Sequence, residues 1–528
     1  MRALMRPLIA AWLALVAVSA GVAAPLRIAS GFDPQTMDPH ALALLYQSRV
    51  VTQVYDALVN RDEQFRPEPA LALSWQAVGP TTWRFKLRPG VIFHDGSPFT
   101  ADDVVFSIER VLGPTSQRAF QLKGVTGAKK VDELTVDVHL ATPDAVLPEK
   151  FIALAMMSKA WCLKHGVERA QDFNGKQETF AVRNANGTGP FRLERYEPDV
   201  RTVLKAHPGW WGRTVPGADR RNGNLDEVSF VSIRQDATRL AALASGEVDL
   251  VLDPPFQDVE RLKADRQFTL LQTADLGQQY FTFDQSRDEL EGSDVKGRNP
   301  FKDLCVRRAV YQALNVDLIV QKVLRGQAAL TGAFLSPRVD GSLPELDKRL
   351  PYDPAKARAL LAEAGYPQGF SVTLDCVNIA YRENVCQAAA AMLTQVGIRT
   401  TLRSSPTNQF FPRLSQGTSA FIEFGWTPTT DAWATLNALF HTWSKDGGGT
   451  FNAGRYANPQ LDTLIDNIRV EPDLTKRRAM TGVALRLIGE DLPYVPLYRR
   501  TLSWAMAKKV TAVQWPNDQV ELRWVRVR

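Results

Sequence analysis

Alternating apolar and polar positions indicate two of the strands in this chain. Trp83, Phe85 and Leu87 interleave with basic residues, and segment 134–140 shows the same period of two. This period is typical of a strand with one buried face. We therefore expect two half-buried β-strands at these positions.

A helix is predicted after the first of these strands. Thr100 and Asp103 are spaced as in a capping box, and apolar residues then recur at helical intervals through Leu112. Asp353-Pro354 and Asn458-Pro459 each place a capping residue before a proline, which favours a helix start.

The middle of the chain continues the alternation of helices and strands. A helix is predicted over 388–396, stopped by Gly397 and followed by a strand near 398–402. The polar stretch 284–299 is predicted to be a surface loop. The whole pattern indicates a mixed α/β fold without an internal repeat.

Length and composition are those of an ordinary globular protein. The chain has 528 residues, of which 45% are hydrophobic and 23% charged, and at about 150 residues per domain it has room for about three domains. Its 63 basic and 57 acidic residues leave a net charge of +6. Because the basic residues are scattered, they indicate a solvated surface and no nucleic-acid partner.

The N-terminus has the pattern of a secretory signal peptide. Arg2 and Arg6 precede the apolar run 8–18, and small residues follow through Ala24. The run is too short to span a bilayer comfortably, which needs about 20 residues. We expect residues 1–24 to be a signal peptide and the mature protein to be soluble and periplasmic.

Four cysteines are too few for a disulfide scaffold, and their spacing fits no zinc motif. Cys376 and Cys386 bracket a short loop, so one disulfide between them is plausible in an oxidising compartment. Cys162 and Cys305 lie in apolar surroundings and are interpreted as small core residues.

Motifs for catalysis or cofactor binding are scarce. The six histidines form neither H-x-x-H nor H-E-x-x-H, and the chain contains no G-x-S-x-G elbow or phosphate-binding loop. Ser293-Asp294-Val295-Lys296 fits S-x-x-K, but it lies in the polar loop without a partner motif. We expect neither an enzyme nor a protein with a cofactor or metal, although a triad built from distant residues stays open.

A set of ordered blocks over nearly the whole mature chain resembles one family. Segment 55–111 contains YDALV, PALALSW and WRFKLRPGVIFHDGSPFTADDVVFSIERV. Further blocks agree in order: MDPH at 37–40, GTGPF at 187–191, WWG at 210–212, ALASGEVD at 242–249, VRRA at 306–309, YDP at 352–354 and YANP at 456–459. The sequence is similar to the family 5 extracellular solute-binding proteins, the receptors of ABC importers for peptides and other small solutes.

This resemblance implies a two-lobed binding-protein fold with two interlobe crossings and an extra domain inserted in the first lobe. The expected crossings are Tyr280 to Asp284 and Tyr494 to Tyr498. The expected domains are lobe I at 25–70, 180–278 and 494–528, the inserted domain at 71–179, and lobe II at 279–493. A ligand would lie between the lobes.

The resemblance also implies ligand-binding residues. Peptide-binding relatives hold the ligand amine with an aspartate after a Gly-Trp pair, which corresponds here to Asp431 after Gly425-Trp426-Thr427. Some relatives hold the ligand carboxylate with an arginine, for which Arg382 is the nearest candidate. Alternatively, Asp431 caps a helix and Trp426 packs in the core. A related subgroup shares the Cys376 and Cys386 pair, with a longer loop between them.

The sequence therefore predicts a monomeric receptor that delivers a small ligand, most simply a short peptide, to an inner-membrane ABC permease. A non-peptide ligand, such as an opine, a metal chelate or a saccharide, is the alternative within the same role. A secreted hydrolase is the alternative from a different class, because it would need only a nucleophile and a base brought together by the fold.

Overall fold

The computed structural model describes residues 24–173, 175, 178–215, 223–428, 431–444 and 448–528. The predicted signal peptide lies outside them, apart from Ala24. The strands are β1 (Ala24–Ser30), β2 (Val59–Arg61), β3 (Pro67–Pro69), β4 (Ala72–Gly79), β5 (Thr82–Leu87), β6 (Val125–Asp132), β7 (Thr135–Leu140), β8 (Phe191–Glu197), β9 (Arg201–Ala206), β10 (Leu225–Ser232), β11 (Leu250–Leu252), β12 (Phe268–Ala274), β13 (Gln278–Phe283), β14 (Ala328–Leu330), β15 (Phe370–Val377), β16 (Ile398–Ser405), β17 (Phe421–Trp426), β18 (Tyr494–Ala507), β19 (Val510–Thr511) and β20 (Arg526–Val527).

The helices alternate with these strands. They are α1 (Leu45–Val54), α2 (Ala101–Leu112), α3 (Leu147–Lys150), α4 (Lys159–His165), α5 (Asp236–Ser245), α6 (Val259–Ala264), α7 (Leu304–Ala313), α8 (Val316–Lys322), α9 (Pro354–Glu363), α10 (Ala380–Gln395), α11 (Thr407–Gln416), α12 (Ala432–Leu439), α13 (Pro459–Val470) and α14 (Leu474–Asp491). No helix in the described part of the chain has both the length and the apolar character to cross a bilayer.

One long strand joins the sheets of two lobes. The first half of β18 pairs with β13, in the sheet that contains β14 to β17. Its second half pairs with β11 and β12, in the sheet that contains β1 and β8 to β10. The fold is therefore the expected α/β two-lobed architecture. The segments expected as crossings lie in β13 and in the first half of β18, and the sheet partners change at 275–277 and beyond Tyr498.

The two strands expected from alternation pair with each other in a separate four-stranded antiparallel sheet, ordered β4-β5-β7-β6. Trp83 lies opposite Val138, and Phe85 lies opposite Val136. The apolar face of α2 covers this sheet, and Phe85, Val136 and Ile108 are completely buried. Both strand predictions and the helix after Thr100 are confirmed.

The predicted helix starts are also confirmed. The Thr100 N–H donates to the Asp103 carboxylate at 2.9 Å. The Asp353 carboxylate accepts from the Lys356 N–H at 2.8 Å, and the Asn458 side chain accepts from the Gln460 N–H at 3.0 Å. Each bond satisfies a donor that a helix N-terminus leaves open.

Two predictions need correction, one on the start of a helix and one on the exposure of a loop. α10 begins at Ala380 and not near 388. The sequence prediction missed its first turns because the polar side chains of Arg382 and Glu383 hide the apolar period there. The loop 284–299 contains no helix or strand, but Leu290 and Asn299 in it are buried. Leu290 packs in the same core cluster as Phe281 and Phe421, so this segment is not purely a surface loop.

Candidate functional site

The predicted ligand residues lie at or beyond the carboxyl ends of two adjacent parallel strands, β15 and β17. β15 and β17 pair in parallel, and the chain continues from β15 toward Arg382 and from β17 toward Asp431. Because the carboxyl ends of parallel strands meet at one edge of a sheet, both segments lie at the edge where such folds bind ligands. Thr429 and Thr430 lie outside the described residues.

Asp431 is a buried carboxylate with a structural bond. It is 6% exposed and caps α12, where its side chain accepts from the Ala434 N–H at 3.2 Å. Within the described chain, no Lys or Arg nitrogen lies within 4.0 Å of its oxygens. Burial, and after it the nearby Glu149 carboxylate, raise the pKa of Asp431 to about 8. The residue is a helix cap, and at the same time a carboxylate without a close counter-charge.

A segment that includes α3 packs over this helix start. The Ala145 N–H donates to the Arg469 carbonyl at 2.9 Å. Lys150 Nζ and Arg469 Cζ lie 5.5 and 5.3 Å from the ring centre of Trp433, which is two residues after Asp431. These contacts place the α3 segment beside the start of α12, and Glu149 of this segment is an electrostatic neighbour of Asp431.

Trp426 and Thr427 take different positions at the end of β17. The Trp426 indole donates to Thr435 Oγ1 at 3.1 Å and contacts Phe451 at 5.1 Å between ring centres. Thr427 is exposed, and a Cβ built on Gly277 would lie 2.5 Å from its hydroxyl. The glycine allows this close approach. Trp426 therefore packs partly in the core, which agrees with the alternative interpretation from the sequence. The exposed Thr427 follows it directly in the chain.

Arg382 is already paired inside lobe II. Its Nε and Nη2 donate to one oxygen of Glu423, at 2.8 and 2.5 Å. The two side chains are 11% and 0% exposed. Burial raises the pKa of Glu423, whereas the adjacent guanidinium lowers it. The charge expected to hold a ligand carboxylate is thus balanced by an internal carboxylate.

A disulfide lies beside this pair. Cys376, near the end of β15, is bonded to Cys386 in α10, with 6.6 Å between their Cα atoms. Their sulfurs and a Glu423 oxygen lie within 4.8 Å of one another. Since metals bind the thiolate form of cysteine, this trio in its disulfide form does not offer a metal site. The bond holds the second turn of α10, one turn beyond Arg382.

Two residues of the cleft were missed at the sequence level. Glu423 interrupts the apolar run 420–424, and a lone charge in such a strand is a signal, because buried charges are rare unless paired. Gln278 lies opposite Trp426 across β13 and β17 and is 1% exposed. Both atoms of its side-chain amide lack a partner among the residues described. No sequence pattern distinguishes it.

Two cavities lie elsewhere. One of about 350 Å³ is lined by residues from the end of α2 and from 168–170, and a smaller one lies between β1 and α1. Neither is lined by Asp431, Trp426, Thr427 or Arg382. The candidate site is therefore identified from the positions of the strand ends and not from a cavity.

Comparison with known proteins agrees with this architecture. A glutathione-binding protein, GsiB, of Pectobacterium atrosepticum is 28% identical over 521 residues, 95% of each chain. The structure of HbpA2 from Haemophilus parasuis superposes with a TM-score of 0.80 at 22% identity, covering 96% of this chain and all of that one.

A third protein was solved with a bound peptide. The periplasmic binding protein DppA from Helicobacter pylori, in complex with the peptide STSA, gives a TM-score of 0.73 at 24% identity, covering 96% of this chain and 98% of that one. The model of the bacterial extracellular solute-binding proteins, family 5, matches residues 66–447. The chain therefore belongs to the family 5 bacterial extracellular solute-binding proteins.

Proposed function

We propose that the protein is the periplasmic receptor of an ABC importer and that its ligand is a short peptide. The observation that carries the proposal is Asp431, a buried carboxylate that follows β17 and has no Lys or Arg nitrogen within 4.0 Å in the described chain. A peptide ammonium that enters a closed cleft loses its water, and an unpaired buried charge is costly. A carboxylate at that point supplies a charge-assisted hydrogen bond. The likeness to a glutathione-binding protein supports a peptide-like ligand.

Ligand capture would use closure of the two lobes. Hinge closure buries a ligand in the cleft and gives the transporter a shape to recognise. In our proposal lobe I is 25–70, 180–278 and 494–528, the inserted domain is 71–179, and lobe II is 279–493. The α3 segment of the inserted domain then covers Asp431 in the closed state, so ligand binding and closure occur together.

Export and partners complete the proposal. Residues 1–24 act as a signal peptide, and the mature receptor works as a monomer with an inner-membrane permease. N-terminal sequencing of periplasmic protein should find a start near Ala24 or Pro25, whereas an intact Met1 would contradict export by cleavage.

The direct test is mass spectrometry of small molecules released from protein purified under native conditions. A short peptide with a free amine is expected. Titration with that peptide and its N-acetylated form then tests the role of Asp431, and acetylation should weaken binding at least tenfold. Equal affinity for both forms would contradict an amine-binding site.

The alternative ligands and the alternative function would give different results in the same experiment. Recovery of an opine, a metal chelate or a saccharide would keep the receptor role and replace the peptide. A secreted hydrolase would release cleaved products during incubation with the ligand, whereas a receptor returns it intact.

A further inference from the structure

Three buried oxygen atoms that have no hydrogen-bond partner among the described residues lie on one face of the sheet formed by β13, β17 and β18. Glu423 in β17, Gln279 in β13 and Tyr498 in β18 lie on three neighbouring strands, and Gln279 is directly opposite both Tyr498 and Gly425. Glu423 and Tyr498 are completely buried. Glu423 Oε1, Gln279 Oε1 and the Tyr498 hydroxyl have no hydrogen-bond partner in the part of the chain that the structure describes.

The register places these groups side by side. Glu423 and Gly425 alternate with Phe424 along β17, so both face the same side as Gln279. A Cβ on Gly425 would lie 2.6 Å from the Gln279 amide, which shows how closely that amide covers the strand. The electrostatic neighbours of Tyr498 are Glu423, Arg382, Tyr381 and Arg500. Tyr498 therefore lies near the Arg382–Glu423 pair, and the register places Gln279 on the same face of the sheet.

Buried polar atoms in folded proteins are nearly always hydrogen-bonded, so three such oxygens on one sheet face offer hydrogen-bonding capacity to a ligand. Two of them, the carboxylate and the amide oxygens, accept hydrogen bonds only, and the third is a hydroxyl. A group bound there must therefore supply hydrogens. Arg382 cannot supply them all, because Nε and Nη2 already bond the other oxygen of Glu423.

We propose that Glu423, Gln279 and Tyr498 form a subsite for an uncharged hydrogen-bond donor of the ligand, an amide N–H or a hydroxyl. The inference rests on the proposed receptor function and specifies its ligand: this end of the cleft takes no free carboxylate. A carboxylate here would face two acceptor oxygens and an arginine whose charge is already balanced. A primary amide can donate one hydrogen to each of the two acceptors, and its oxygen can accept from the tyrosine hydroxyl.

The test is a library of di- to tetrapeptides offered to the full mature protein as matched pairs, each as a free acid and as a C-terminal amide. Retained peptides are quantified by mass spectrometry and titrated singly. The amide of each retained pair should bind within about threefold of its acid or more tightly. A preference of tenfold or more for free acids would overturn the inference.

Two variants sharpen the result. Glu423→Gln removes the charge that balances Arg382, so the ratio of acid to amide affinity should rise at least tenfold. Tyr498→Phe removes one hydroxyl and should weaken amide binding about tenfold. Tyr280→Phe is the matched control: Tyr280 is equally buried, with an unpartnered hydroxyl among the described residues, but it faces the other side of the sheet, so affinity should not change.

The outcomes separate the inference from the proposed function. Amide affinity that is unchanged in both Glu423→Gln and Tyr498→Phe overturns the subsite. Loss of free-acid binding in Glu423→Gln also overturns it, because Glu423 would then only position Arg382 for a carboxylate. If no peptide is retained in either form, the peptide function itself fails and the inference falls with it.

Discussion

The two charged residues expected to hold a ligand differ in one respect. Arg382 has a partner inside lobe II, since Glu423 lies 2.5 Å away and both side chains are almost completely buried. Asp431 has only its capping bond from Ala434 and no cation within 4.0 Å in the described chain. Arg382 is paired without a ligand, whereas the Asp431 carboxyl, with a pKa of about 8, is largely protonated at neutral pH until a cation reaches it.

This difference shows that residue type does not by itself define a ligand anchor. A buried ion pair that is broken by removal of one partner loses stability, whereas a buried lone carboxylate gains from any cation that reaches it. The Asp431 end of the cleft is therefore the end that should discriminate charged groups. The Arg382 end should contribute mainly to the stability of lobe II.

Removal of Arg382 should give the largest effect. Arg382→Met leaves Glu423 buried without its partner and should destabilise the protein by about 3–5 kcal/mol. The double variant with Glu423→Gln should recover most of this loss, because no unpaired charge remains. Denaturant unfolding of the two single variants and the double variant measures the coupling. Additive losses would show that the two side chains stabilise the fold independently.

Removal of the disulfide should give the next largest loss of stability. It closes a loop with a sequence separation of 10, for which the chain-entropy estimate is about 2.5–3 kcal/mol. Cys376→Ser with Cys386→Ser should lower the free energy of unfolding by that order and loosen the second turn of α10. Cys305→Ser is the control, since Cys305 is a free, partly exposed thiol. Non-reducing peptide mapping should find the 376–386 cross-link, and free thiols at both positions would count against it.

Asp431 should matter for affinity more than for folding. Asp431→Asn keeps a side chain that caps helices equally well, but it removes the charge. Hydrogen bonds to charged groups contribute about 1.5–3 kcal/mol, so affinity for an amine ligand should fall roughly 10- to 150-fold. Asp473→Asn, at the cap of α14, is the control. An unchanged affinity in Asp431→Asn would leave capping as the role of this residue.

The smallest effect should be the change in stability of the ligand-free protein over the single pH unit from 7 to 8. The pKa of Asp431 is about 8 in the folded structure, against an ordinary value of 3.8. The protonated form is therefore favoured by folding, and its contribution to stability is complete below about pH 4 and is lost as pH rises toward 8. Between pH 7 and 8 the loss should be about 1 kcal/mol. Thermal melts of wild type and Asp431→Asn should diverge as pH rises, and parallel curves would contradict the raised pKa.

Much of the local structure could be predicted from the sequence. The strand around Phe85, the capping box at Thr100 and the helix starts before Pro354 and Pro459 depend on periodicity and on side chains that bond within one turn. Such signals act over a few residues, so they are visible in the sequence. The start of α10 was missed because its first turns carry no apolar period, and Arg382 in those turns bonds to Glu423, 41 residues away.

The candidate site, like the fold, could be predicted from the sequence only in part. The sequence, through its blocks in order, determined the family and brought Asp431, Trp426, Thr427 and Arg382 forward as candidates. Only the tertiary structure decided that Glu423 already balances Arg382 and that Asp431 has no close counter-charge. Charges and hydrogen bonds act through space, so the state of a buried group depends on the neighbours that folding brings to it, and these neighbours come from distant parts of the chain.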